Sequence, residues 1–197
     1  MVALLKDGKV IGYPAQGKKH NEWFTPRVYI EAAREVMNGI DLDPASCELA
    51  NRTVRASRYY TKEDDGLSKE WYGKIWLNPP FNKENGKSTI GKWSKKLVEC
   101  FRLGIVEQAV LLGAGQTASA WFADIWNYPI CFTNHHIRFY CPQLDKVSGQ
   151  RDCTFMAYLG PHEQKFIDVF QRFGVIAKQV SPPKVQPRML SLWEVAQ

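Results

Sequence analysis

Short apolar runs that stop abruptly at proline, asparagine or glycine alternate with amphipathic stripes along most of the chain, and this alternation narrows the possible folds more than any other feature. The runs are Ile40–Pro44, Lys74–Leu77 halted by Asn78-Pro79-Pro80, Gln108–Leu112, Ile130–Thr133 or Ile137–Tyr140, Thr154–Leu159 and a last one opening at Val175-Ile176. Between them, Tyr29, Ala32, Ala33 and Val36 recur at helical spacing. Thr25-Pro26 reads there as N-cap and first helical residue, and Gly39 as the stop. Trp93, Leu97, Cys100 and Phe101 mark a second helix ended by Gly104. Ala118, Trp121, Phe122 and Ile125 mark a third, capped by Thr117, and Phe166, Val169, Phe170 and Phe173 a fourth, ended by Gly174. Strands alternating with single helices predict an α/β fold, a mostly parallel sheet with helices on both faces. The polar loop 141–152 between two late strands also allows an antiparallel pair at one edge. The expected organisation is a basic arm or strand over 1–20, one domain over 21–180, and a proline-containing tail over 181–197.

Parallel sheets of this kind bind ligands at the carboxyl ends of their strands, near the point where the strand order reverses. Asp43-Pro44 and Asn78-Pro79-Pro80 therefore belong at the functional edge. With 197 residues and 45% hydrophobic content, the chain can bury a core without a staple. Its five cysteines include no Cys-x-x-Cys pair, so neither a disulfide framework nor a zinc site is expected. No apolar run approaches the roughly 20 residues of a membrane span or forms a signal peptide. The expected location is the cytoplasm. A formal net charge of +6 fits a polyanionic partner or an ordinary basic surface.

Asn78-Pro79-Pro80-Phe81 is the most informative stretch. It joins a side-chain amide, two rigid residues whose carbonyls have fixed directions, and an aromatic face. An exocyclic aromatic amine is a poor nucleophile because its lone pair is delocalised into the ring. A site acting on it must draw the nitrogen toward tetrahedral geometry and hold it in line. The Asn78 oxygen and the Pro79 carbonyl suit that task by accepting one N–H each, which stabilises the charge developing on nitrogen, while Phe81 stacks on the base.

Asn21-Glu22-Trp23-Phe24-Thr25-Pro26, Asp41-Leu42-Asp43-Pro44-Ala45-Ser46, Tyr59-Tyr60-Thr61, Asp64-Asp65-Gly66-Leu67 and Trp76-Leu77-Asn78-Pro79-Pro80-Phe81 follow one another along the chain. Taken together, over residues 21 to 176, they resemble the phage-type DNA N-6-adenine methyltransferases. The resemblance implies a Rossmann-like methyltransferase fold, S-adenosylmethionine as cofactor, and Asn78, Pro79, Pro80 and Phe81 as the catalytic quartet. It further implies that Trp23, Thr25 and Pro26 lie against the methionine part of the cofactor. Asp43-Pro44-Ala45-Ser46, with Asp41 before it, stands where many relatives have a glycine-rich loop, and Asp43 would accept from the cofactor's ammonium group. Asp65 would accept from the cofactor's adenine amino group, with Leu67 packing on that ring. An acid for the ribose is not evident, since Arg55 and Arg58 stand after the second strand. Gly113-Ala114-Gly115 lies beyond the quartet and reads as a turn.

A duplex-acting enzyme of this kind must flip its adenine out of the stack. Residues 83–102 carry six cations, Lys83, Lys87, Lys92, Lys95, Lys96 and Arg102, against Glu84 and Glu99, which makes them the expected phosphate-facing segment. Gly86 and Gly91 suit a loop closing over the flipped base. Arg138, Lys146, Gln150 and Arg151, in or beside loop 141–152, are candidates for reading bases. The expected activity is thus site-specific methylation of adenine N6 in DNA, without metal or obligate protein partner, in a bacterial cell or phage-infected host. The alternatives are methylation of RNA adenine or protein glutamine, or an inactive nucleic-acid-binding protein that keeps the fold.

Overall fold

The computed structural model describes residues 23–81, 89–142, 145–147 and 153–180, together with the backbone of the two-residue strands Leu5–Lys6, Lys9–Val10, Lys83–Glu84 and Lys87–Ser88. Most of the arm over 1–20 and the tail over 181–197 lie outside the described residues.

Helix α1, Arg27–Met37, forms because Tyr29, Ile30, Ala32, Ala33, Val36 and Met37 bring one apolar stripe to the core. Its ends correct the expectation by one residue each. Pro26 is the N-cap, with extended backbone (ψ 139°) and no side-chain cap, so the Thr25 hydroxyl is left for another partner. At the other end Asn38, not Gly39, takes the left-handed conformation (φ 56°, ψ 50°) and returns its N–H to Arg34.

Seven strands build one sheet: β1 Leu42–Asp43, β2 Arg58–Tyr59, β3 Gly73–Leu77, β4 Val106–Ala114, β5 Ile130–Thr133, β6 Thr154–Leu159 and β7 Gly174–Ala177, in the order β7-β5-β6-β4-β3-β1-β2. Strands β1 to β4 pair in parallel, whereas β6 runs antiparallel to both β4 and β5, and β7 antiparallel to β5. Five strands thus point one way and β6 and β7 the other. The antiparallel part is wider than an edge pair, because β6 is inserted between β4 and β5. Helices α2 (Glu48–Val54), α3 (Ile90–Arg102) and α4 (Glu163–Phe170) complete the layers.

Successive residues of a strand face opposite sides of the sheet, and both sides here are covered, so the central strands are apolar throughout. Trp76, Val110, Leu112, Met156 and Tyr158 join the core beneath α1 and α4. Ile75, Leu77, Ala109, Leu111, Phe155, Ala157 and Leu159 join the core beneath α3. Strand β4 runs past the expected stop at Leu112. Gly113 is a strand residue, not part of a turn, because a Cβ there would lie 2.6 Å from the Phe155 ring.

The expected helix over 118–125 is replaced by two 3₁₀ turns, Ala120–Phe122 and Ile125–Asn127. The break between them lets Asp124 reach Arg102 at 2.7 Å while the rings of Phe122 and Trp126 both pack against Phe132. Pro129 then holds Tyr128 extended and ends the segment. Of the two candidates for the next strand, Ile130–Thr133 joins the sheet. Tyr140–Cys141 instead pairs antiparallel with Lys146–Val147 outside it.

Candidate active site

Strand β1 leads through α2 to β2 on one side, and β3 leads through α3 to β4 on the other, so the strand order reverses between β1 and β3. These two strands are direct neighbours, with Leu42 opposite Ile75. Their carboxyl ends carry Asp43-Pro44 and Asn78-Pro79 to the same edge of the sheet, where open α/β sheets bind ligands in a crevice beyond the strand ends. The two motifs expected at the functional edge are therefore brought together by topology.

Asp43 is 3% exposed, and no cation faces it among the described residues. Burial pushes its carboxyl up to about 7, opposed by the Ser46 hydroxyl and by the Ala45 N–H, which donates to Oδ1 at 3.2 Å. The help from Ser46 is weak, because its buried Oγ reaches no partner with hydrogen-bond geometry. The turn is pinned to β2: the Tyr60 N–H donates to the Asp43 carbonyl at 3.0 Å, and the Ser46 N–H to the Tyr60 carbonyl at 2.9 Å. At the head of the next helix, Cys47 caps α2 by accepting from the Ala50 N–H at 3.4 Å.

The segment after β2 folds back on this turn. Thr61 donates from its backbone N–H (2.8 Å) and its hydroxyl (2.9 Å) to Asp64, which holds the Asp64 carboxyl below its ordinary range. Asp65 takes the left-handed conformation (φ 54°), its carboxylate exposed, and Leu67 packs against the α3 core. The Trp71 indole N–H donates to the Gly66 carbonyl at 2.8 Å, and the Trp71 ring stacks on Trp93 with centroids 5.8 Å apart. Lys96 ties the same loop down by donating to the carbonyls of Leu67, at 2.7 Å, and Lys69.

At the end of β3 the Asn78 amide nitrogen donates to Thr25 Oγ1 at 3.1 Å. Among the described residues, the buried Asn78 amide oxygen has no partner and the Pro79 carbonyl accepts no hydrogen bond. Thr89 donates from Oγ1 to the Pro80 carbonyl at 2.9 Å, which fixes the turn, while the Phe81 ring is 46% exposed. Two acceptors on neighbouring residues, without partners among the described residues, thus lie just before a half-exposed aromatic ring in the chain.

Other expected site residues fall elsewhere. Asp41 sits at the amino end of β1, where its Oδ2 accepts the Lys74 N–H at 2.9 Å. The crevice and the Asp41 carboxylate are therefore at opposite ends of the strand. Trp23 is partly exposed at the start of the described domain, one residue before Phe24, which exchanges two backbone hydrogen bonds with Tyr140 (2.7 and 3.0 Å). Among the cations of 83–102, Lys96 is spent on the loop carbonyls, Lys95 pairs with Glu99 at 3.8 Å and Arg102 with Asp124. At least three of the six expected phosphate-facing cations are therefore partnered within the protein. Gly91 lies in the first turn of α3 against Trp121 and is not a loop hinge. Lys92 and Arg138 are exposed, as is Lys146. Gly86, Gln150, Arg151 and the side chains of Lys83 and Lys87 lie outside the described residues.

Two contacts had no sequence signal. One joins Thr25 to Asn78; the other joins the Tyr29 hydroxyl to His135 Nε2 at 2.6 Å, with Asn134 Oδ1 2.9 Å from His135 Nδ1. The second fastens the segment after β5 to the first turn of α1. Burial pushes the Cys131 thiol up to about 12, and among the described residues no group of His, Cys, Asp and Glu is placed to hold a metal ion. No helix among those residues is long and apolar enough to cross a membrane.

The family model described as DNA N-6-adenine-methyltransferase (Dam) matches residues 15–159. No curated protein and no solved structure gives a significant match. The match takes in both carboxyl-edge turns, the loop between them and strands β1 to β6. The chain belongs to the DNA N-6-adenine-methyltransferase (Dam) family, enzymes that methylate N6 of adenine in DNA.

Proposed function

We propose that the crevice between β1 and β3 holds S-adenosylmethionine beside an adenine flipped from DNA, with Asn78, Pro79, Pro80 and Phe81 gripping the target base. Family membership implies this methyl donor. The residues present suit it: the buried Asp43 carboxylate lacks a cation and the buried Ser46 hydroxyl lacks a partner, the two deficits that a ligand carrying an ammonium and polar groups would meet. Pro44 and Ala45 line the same turn, Asp65 offers an exposed carboxylate for an adenine amino group, and Leu67 supplies an apolar face beside it. Thr25 meets Asn78 at this edge, and Trp23 and Pro26, close to it in sequence, are assigned to the methionine part of the cofactor. Bound there, S-adenosylmethionine supplies an electrophilic methyl group.

The chain's own part is orientation and charge stabilisation. Asn78 Oδ1 and the Pro79 carbonyl accept the two N–H groups of the adenine amine, which frees the lone pair from the ring and aims it across the crevice. Both oxygens stabilise the positive charge that develops on nitrogen as it gains the methyl group, and the nitrogen then releases one proton to solvent. Phe81 stacks on the extruded base and returns about 1–3 kcal/mol of the unstacking cost. No thiol is needed, because the amine is itself the nucleophile. Lys83, Lys87, Lys92, Arg138 and Arg151 are assigned to phosphates and base edges, and the reaction is assigned to the cytoplasm of a bacterial cell or phage-infected host.

The observation that carries this reading is the buried, unpartnered Asn78 oxygen next to a free proline carbonyl at the switch point. Duplex DNA, single-stranded DNA, RNA and a protein extract, each incubated with methyl-labelled S-adenosylmethionine, provide the test. Label confined to adenine of DNA is expected, and calorimetry of the D43N variant is expected to show loss of cofactor binding. Label in RNA or protein with unlabelled DNA, or undiminished binding by D43N, would contradict it.

A further inference from the structure

A carboxamide serves as a catalytic acceptor only if its plane is held. A side chain free to rotate about its last bond presents its oxygen, its NH₂ and everything between. Among the described residues, Asn78 has one polar partner for its side chain, Thr25 Oγ1, 3.1 Å from Nδ2. Thr25 is 8% exposed and lies 53 residues away in sequence, so the contact is a product of the fold and not of local geometry. Its own position is rigid on both sides. Phe24 is clamped to Tyr140 by two backbone hydrogen bonds, and Pro26 starts α1 without any side-chain cap. Relieved of capping, the Thr25 hydroxyl points at Asn78.

We propose that Thr25 is a positioning residue for Asn78. Resting on the reading of Asn78 as the acceptor of the target amine, this assigns the Thr25 hydroxyl to the carboxamide and not to the cofactor. The bond holds the amide plane and occupies the nitrogen, leaving Oδ1 as the free end. The reversed amide would set its NH₂ against the adenine NH₂, donor against donor, so only the orientation seen can accept the target amine. The Phe24–Tyr140 clamp makes this arrangement continuous with the strand pair that opens loop 141–152, a segment assigned to base reading.

Thr25→Val keeps the side chain's shape and removes the hydroxyl, and Thr25→Ser restores the hydroxyl on a smaller side chain. The single-turnover methylation rate of Thr25→Val is expected to fall about 10- to 100-fold, the range of one lost orienting interaction. Cofactor affinity by calorimetry should stay within about twofold of wild type, and Thr25→Ser should recover most of the rate. In an Asn78→Ala background, Thr25→Val should cost nothing further, because the group it positions is gone. A rate loss that persists undiminished in that background, or one that appears as weakened cofactor binding, would overturn the proposal. Asn78→Ala with wild-type turnover would instead remove the reading of Asn78 on which it rests, and that result is read from the single variant alone. Thr25→Ala provides the same comparison if Thr25→Val does not fold.

Discussion

Gly66 lies so close to Pro44 that a Cβ placed on it would sit 1.9 Å from the Pro44 carbonyl oxygen and 3.3 Å from the Trp93 ring. The two turns assigned to opposite ends of the cofactor therefore touch, and only a residue without a side chain lets them. Gly66→Ala must push the loop off the β1 turn. Overpacking of this kind costs about 1–3 kcal/mol, so thermal unfolding should shift down by several degrees. If the contact shapes the cofactor crevice, S-adenosylmethionine affinity should fall about tenfold or more, the equivalent of about 1.4 kcal/mol. A shifted midpoint with unchanged affinity would separate the loop from the cofactor site.

Asp43 makes both stability and binding depend on pH. Its carboxyl is raised by burial to about 7, so between its unfolded value and 7 the folded state binds the extra proton. Stability contributed by this group therefore falls as pH rises from about 4 to about 7, and is restored on acidification. A cationic ligand reverses the preference by favouring the carboxylate. Cofactor affinity should rise with pH through about 7, with proton release on binding. It should decline again above roughly 8, where an α-amino group loses its charge. Calorimetry in buffers of different ionisation enthalpy measures both effects. Asp43→Asn should make the free protein more stable at pH 8 while abolishing binding.

The parts legible in the sequence were those fixed by short-range pattern. The apolar run Lys74–Leu77 halted by Asn78-Pro79 placed the quartet at the carboxyl end of a strand, and Ile40–Asp43 did the same for Asp43, because strands buried on both faces must be apolar and must end where polarity begins. What could not be read depends on contacts between distant residues. Thr25-Pro26 has the look of a helix start, yet the Thr25 hydroxyl is taken by Asn78. Lys96 looks like a phosphate ligand within a basic run, yet it holds the loop carbonyls of Leu67 and Lys69 and lies over the Trp71 ring. The stripe over 118–125 has helical spacing, but the pull of Arg102 on Asp124 and the rings around Phe132 split it into two turns. Gly113 reads as a turn residue until Phe155 is seen to need the space.

Phe81 is nearly half exposed, which costs an apolar ring its burial unless a ligand covers it. Phe81→Ala should leave the unfolding free energy within about half a kcal/mol of wild type, as surface substitutions do. It should weaken productive DNA binding by about 1–3 kcal/mol through lost stacking, visible as a raised KM for DNA with the cofactor KM unchanged. Equal DNA kinetics in the variant would remove Phe81 from the base pocket.

The basic residues divide into two groups with different signatures. Arg138 is exposed, so Arg138→Gln should lower the slope of log affinity against log salt by about 0.9 if it neutralises one phosphate. Lys96→Gln should leave that slope intact and cost about 1 kcal/mol of stability through its loop hydrogen bonds. Neutralising Lys83, Lys87 and Lys92 together should weaken DNA binding and flatten its salt dependence. Unchanged binding by the triple variant would make the charge of that segment incidental.

The claim at the centre is that Asn78 grips the adenine amine. Its most direct test is the single-turnover rate of N6-methyladenine formation, read by mass spectrometry of nucleosides from DNA treated with wild-type protein and with Asn78→Ala. Loss of one preorganised group is expected to slow the reaction about 100- to 1,000-fold, with S-adenosylmethionine affinity and the unfolding midpoint close to wild type. An Asn78→Ala variant that forms N6-methyladenine at the wild-type rate would contradict the account.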